Sequence, residues 1–168
     1  MTRPLRSPRS TRSAGAATEL KIPADPQYVI VAKRAASALG STAGFSLEGI
    51  DDLNIAVAQA CEKAIAAADR MWGRGNGVLR LTFHIVDEGI EVEVRSMAAP
   101  EAAQRQLARL VGVNRRITGA ALTKRQAKSE GDFDDLAVNM IRLFVDELRY
   151  NVDSRGAMRM RMVKYHVD

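Results

Sequence analysis

The sequence predicts an α+β fold, a two-layer α/β sandwich with a mostly antiparallel sheet and helices on one face. Two observations carry this. Leu79, Leu81, Phe83 and Ile85 alternate with Arg80, Thr82 and His84, and Ile90, Val92 and Val94 alternate with Glu91, Glu93 and Arg95. That is a hairpin with one apolar and one wet face. Upstream, Ile50, Leu53, Val57, Ala60 and Ala64 recur at spacings of three and four, the stripe of an amphipathic helix. A sheet with one apolar face needs a helical layer to cover it.

Residues 1–17 contain Arg, Ser, Pro, Thr, Gly and Ala with almost nothing to bury, and read as a disordered basic tail ahead of one domain over 18–168. Glu19–Ile22 reads as a short strand. Asp25 and Pro26 mark a helix start that runs to about Leu39, with Gly40 as its stop. The central helix spans Ser46 to about Arg70. Ser46 is its N-cap, Phe45 and Ile50 form a hydrophobic staple, and Glu48 suits the first turn. Gln59 and Lys63, four apart, share a face beside its apolar stripe.

Gly73–Gly77 is a turn into the hairpin, whose own turn is Asp87-Glu88-Gly89. Pro100 opens a helical stretch with Leu107, Leu110 and Val111 on one face and Arg105 and Arg109 off it. Residues 112–131 are basic and poorly patterned, a mobile segment with partial helix. Phe133, Leu136, Met140, Ile141, Phe144 and Leu148 have helical spacing, with Asp132 or Asp134 as cap. Leu148, Tyr150 and Val152 lead through Ser154-Arg155-Gly156 into Met158, Met160 and Met162, a final hairpin. Its methionines read as core filling and Arg159 and Arg161 as its exposed side.

At 168 residues the chain is long enough for a core, and 46% of it is apolar. No run of eighteen apolar residues suggests a membrane span, and no secretory signal is apparent. The single cysteine, Cys61, cannot form an internal disulfide, which fits a reducing cytoplasm. It reads as a buried, inert thiol. Of the net charge of +5, four units are Arg3, Arg6, Arg9 and Arg12, so the remainder carries only +1. That balance, with no aromatic platform beside the basic residues, argues against a nucleic-acid surface on the domain. The tail itself suits weak contact with nucleic acid or anionic lipid, and its composition also matches a transit peptide. His84 lies on the wet strand face. With His166 it completes the histidines, too few for a metal cluster or a hydrolytic triad.

The stretch IAVAQACEKAI resembles the N-box helix of the anti-sigma-factor serine/threonine kinases, within the histidine-kinase-like (GHKL) ATPase superfamily. KIPADPQYVIVAKRAASAL is similar to that family's first strand and helix, IEVEVRS to the strand before its first glycine box, and DLAVNMIRLFVDELRY with MRMRMVKYHV to its last helix and strand. The similarity covers residues 18–168. It implies the family's two-layer fold, but the functional positions depart from the pattern. The family's general base falls on Gln59 and its magnesium-binding Asn on Lys63. The adenine-binding Asp falls on Ser96 and the glycine after it on Ala98. The second glycine box falls on Asp135-Leu136-Ala137-Val138, so Asp135 and Ala137 replace its glycines. An amide is no base at neutral pH, an ammonium cannot ligate Mg²⁺, and Glu130, Asp132, Asp134 and Asp135 repel a triphosphate.

The resemblance therefore implies a degenerate ATP site with no catalytic residue and no cofactor, unless Mg-ATP binding survives. It also implies an anti-sigma-type module that grips a sigma factor, an anti-sigma antagonist, or both, as a homodimer. Lys33 and Arg34 on the first helix, and Arg115, Arg116, Lys124 and Arg125 in the place of the family's ATP lid, are the candidate partner contacts. Two other readings compete: an active serine/threonine protein kinase acting on an antagonist, and a nucleic-acid-binding regulator.

Overall fold

A computed structural model describes residues 16–113 and 131–166, with side chains placed for 16–111 and 136–166. Five strands form one antiparallel sheet: β1 Ala17–Pro23, β2 Gly77–Val86, β3 Gly89–Ala98, β4 Glu147–Val152 and β5 Met158–Tyr165. Their order across the sheet is β1-β2-β3-β5-β4. The helices are α1 Val29–Thr42, α2 Leu47–Trp72, α3 Pro100–Val113 and α4 Gly131–Arg142. The predicted α+β sandwich is what forms. No helix among the described residues is long and apolar enough to cross a membrane.

The alternation sorts as expected except at Ile85, which the sequence puts in the apolar row and which is exposed near the end of β2. Leu79, Leu81, Phe83, Val92 and Val94 are buried with Met158, Met160 and Met162 against Leu53, Val57, Ala60, Cys61 and Ala64 of α2. Each buried Val, Leu, Phe or Met among them contributes roughly 1.5–3 kcal/mol on burial. The opposite face is a charge ladder. Arg159 meets Glu93 at 2.6 Å and Arg161 meets Glu91 at 2.5 Å, while Arg80 pairs with Glu19. The arginines expected to be merely exposed are therefore tied to the neighbouring strand. Such half-exposed pairs each add little, ~0–1 kcal/mol.

Ser46 caps α2 as expected, its Oγ accepting from the Gly49 N–H at 3.2 Å. Two helix boundaries differ from the sequence reading. A 3₁₀ turn, Pro26–Tyr28, capped by Asp25, precedes α1, and α1 continues through Gly40 to Thr42. Gly40 is buried under α2: a Cβ there would lie 3.3 Å from Ile50 Cγ1 and 3.4 Å from Leu53 Cδ2. The glycine is a close-approach point between two helices, and Gly44, at φ +86°, lies in the turn that follows α1. Reciprocal hydrogen bonds between Ser37 and Asn54 hold the same pair of helices together. At the other end, α4 stops at Arg142, so Phe144 and Leu148 lie outside it. Val138 and Ile141 form its inner face, while Leu136 and Met140 are exposed. The chain leaves the helix because Lys164 Nζ takes the Phe144 carbonyl at 3.0 Å and the Asp146 N–H joins Val163 O.

Cys61 is fully buried. Burial, and then the charge of Glu62, pushes its thiol up to about 12. A hydrogen bond to Glu147 likewise pushes the Tyr165 phenol up to about 12. Below about pH 7 both groups are protonated folded or unfolded. As the pH rises further, the unfolded chain loses these protons first, the thiol ahead of the phenol, so stability falls between about pH 8 and 12. Urea melts across that window should show the decline, and Cys61→Ala should flatten its lower part. Native Cys61 should resist a thiol reagent at pH 8 that labels the unfolded chain at once.

Candidate functional site

The positions that the resemblance sets against the family's nucleotide motifs lie on α2, at the end of β3 and on α4. The helical repeat puts Gln59 and Lys63 one turn apart on one face. Gln59 is half-buried, and its Nε2 lies 3.5 Å from Glu62 Oε2. Glu62 was not singled out by sequence, yet it brings a carboxylate beside the position of the family's base.

Lys63 is only 8% exposed. Its Nζ stands 5.0 Å from the centroid of the Tyr150 ring, a cation–π contact across to β4. An ammonium with its stem packed in the core explains how a lysine is tolerated there. Tyr150 sits opposite Met160 in the β4–β5 register, on the sheet's inner face. Two residues before Met160 on β5, the Met158 N–H donates to Ser96 Oγ at 2.8 Å. Ser96 is buried, and this bond extends the β3–β5 ladder just past its last pair, Arg95 with Arg159. Ala98 pairs with Gly77 at the end of the hairpin.

Lys63 and Ser96 are thus each engaged by a residue of the β4–β5 hairpin, Tyr150 and Met158. Gly156, in the β4–β5 turn, comes close to the end of α2: a Cβ on it would lie 3.8 Å from Met71 Sδ. Where the resemblance puts the family's metal ligand this chain carries a cation, and where it puts the adenine contact it carries a hydroxyl that accepts from the backbone.

The remaining candidates are dispersed. Lys33 is half-buried and Arg34 exposed, both on α1. Ala137 is half-buried on α4; Asp135 lies on the same helix, its side chain outside those described. Arg115, Arg116, Lys124 and Arg125 lie outside the described residues, as does the basic tail up to residue 15.

Residues 22–164 match the histidine kinase-like ATPase domain. The serine-protein kinase RsbW of Listeria innocua is 37% identical over 75 residues, 45% of this chain and 46% of that protein. The protein of that name from Bacillus velezensis is 36% identical over 76 residues, with 45% and 46% covered. That from Bacillus subtilis is 34% identical over 76 residues, again 45% and 46%. The chain spans about half the length of the curated relatives it matches. With the domain match running from β1 to β5, and the one-sided antiparallel sheet it requires, the chain belongs to the family of histidine kinase-like ATPase domains.

Proposed function

We propose that this chain is an anti-sigma-type regulatory module: it controls transcription by sequestering a protein partner and does not turn over ATP. The observation that carries this reading is the state of Lys63 and Ser96. Both stand where the family handles nucleotide, and both are spent on the fold, Lys63 against Tyr150 and Ser96 on the Met158 N–H. A frame kept while its chemistry is replaced is suited to binding, which needs a surface only. The relatives named serine-protein kinase RsbW support a partner of the kind the family regulates: a sigma factor, an antagonist of the anti-sigma factor, or both. On this reading the module is cytoplasmic and homodimeric, and Lys33 and Arg34 on α1 belong to its partner surface. Glu62, beside Gln59, favours the alternative of a kinase with a displaced base.

The test is binding of the full-length chain to the sigma factors and small antagonist domains of its host, at low and high salt. Charge-led association weakens as salt rises, because screening shortens to ~8 Å at physiological ionic strength. Reversing Lys33 and Arg34 to Glu should weaken the complex about tenfold or more and leave the melting temperature unchanged. Absence of any such complex removes the role; a complex indifferent to the double reversal removes the surface.

A further inference from the structure

The helix α3 faces the body of the protein with its arginines. Ala102, Arg105, Gln106 and Arg109 follow a helical repeat on one side of it, and that side closes a cleft of about 290 Å³ against the end of α2. The opposite wall is Met71, Trp72 and Asn76. The apolar side chains of α3 are left outside: Leu107, Leu110 and Val111 are 62%, 63% and 65% exposed.

The cleft is organised. Asn76 Nδ2 donates to the Trp72 carbonyl at 3.1 Å, and Arg105 Nη2 donates to Asn76 Oδ1 at 2.7 Å. Arg105 is thereby held by the polar cap of α2. Arg109, one turn further, makes no ion pair or hydrogen bond among the described residues, and no carboxylate lines the cleft. Two guanidinium groups thus share a wall, one anchored and one available, facing an indole and a thioether.

We infer that this cleft is a docking pocket for an acidic side chain carried next to an apolar one on a partner protein. Guanidinium is the group that matches a carboxylate fork, and its bond is charge-assisted. Trp, Met and Arg are the residues that concentrate at protein interfaces and their hot spots. A small-molecule site surrounds 70–90% of its ligand. This cleft has walls from only two helix ends, so it suits a side chain presented by another protein. Trp72 is nine residues beyond Lys63, about 13 Å along α2, and the Asn76 carbonyl accepts from the Ala99 N–H at 2.7 Å, so the cleft lies well past Lys63 and beside the end of β3. It lies on other elements than Lys33 and Arg34, and does not rest on the anti-sigma reading.

Trp72 is the single tryptophan of the chain, so its emission reports on the cleft alone. The probe is the blocked peptide acetyl-Glu-Leu-Glu-Phe-amide, titrated into the full-length protein, with acetyl-Gln-Leu-Gln-Phe-amide as control. The acidic peptide should change Trp72 emission saturably, and the control should bind at least about tenfold more weakly, the worth of one charge-assisted bond. Arg109→Glu should cost about tenfold or more and Arg109→Lys less, with melting temperatures unchanged because Arg109 is exposed. The proposal is overturned by no saturable change in the millimolar range, by equal binding of both peptides, or by wild-type binding in Arg109→Glu. A response of the same size to sodium phosphate or acetate overturns it as well, since the cleft would then hold any small anion. Lys33→Glu with Arg34→Glu should leave the peptide response intact, whatever becomes of the α1 surface.

Discussion

Gly89→Ala should lower the melting temperature of this protein by roughly 10 °C. Gly89 opens β3 and pairs with Tyr165 of β5. A Cβ there would sit 2.0 Å from the Lys164 carbonyl oxygen and 2.9 Å from Tyr165 Cα. Both are backbone atoms, so no rotamer change relieves the overlap, and the strands have to part. β5 has little room to retreat. The Tyr165 N–H donates to Asp146 Oδ2 at 2.7 Å, and the His166 N–H donates to the Glu88 carbonyl at 2.8 Å. Lys164 Nζ is bound to Asp52 at 3.0 Å and to the Phe144 carbonyl. Overpacking a tight site costs ~1–3 kcal/mol, and this one also forfeits ladder hydrogen bonds. At about 2–4 °C per kcal/mol for a chain of this size, a loss near ~3 kcal/mol gives the stated shift. Differential scanning fluorimetry measures it. A variant melting within about two degrees of wild type would mean that β5 yields freely, contrary to the bonds that pin it.

The strands were legible because a sheet with one wet face writes its orientation into every second residue. Leu79 to Val94 needed no tertiary information. Gly40 was misread because a glycine has two uses, ending a helix and letting a second one approach. Only the position of Ile50 and Leu53 decides between them. Phe144 and Leu148 continued the helical spacing of α4 although the chain had already turned toward β4. Over so few residues an inward-facing turn and an inward-facing helix leave the same apolar marks. At the site, the identities of Gln59, Lys63, Ser96 and Ala98 were readable along the chain. What Lys63 and Ser96 do was not, because Tyr150 and Met158 arrive from another hairpin. The orientation of α3 was equally hidden. Its two faces were separable by spacing, but an apolar face turned outward contradicts the usual expectation for an amphipathic helix.

Mg-ATP added to the full-length chain should give no saturable heat and no phosphate release, and the double variant Gln59→Glu, Lys63→Asn should give none either. A general base supplies ~10²–10⁴-fold in rate, and the Gln59 amide cannot take up a proton at neutral pH. Restoring Glu at 59 puts it beside Glu62, whose Oε2 is now 3.5 Å from the Gln59 amide. Two carboxylates at that distance oppose each other's ionisation. Asn at 63 removes the ammonium from the Tyr150 ring and leaves a shorter polar group in a site only 8% exposed. That should destabilise the fold by about 1–3 kcal/mol, a loss of several degrees in melting temperature. Ser96 would still be engaged with Met158, Ala98 would still lack the freedom of glycine, and Asp132, Asp134 and Asp135 would still stand at the start of α4. The expected signature is thus a less stable protein with phosphate release at the level of buffer. Titration calorimetry with a phosphate-release assay decides it. Micromolar ATP binding by the unmodified chain would overturn the reading, for it would require Tyr150 to leave Lys63 and β5 to release Ser96 as the nucleotide enters.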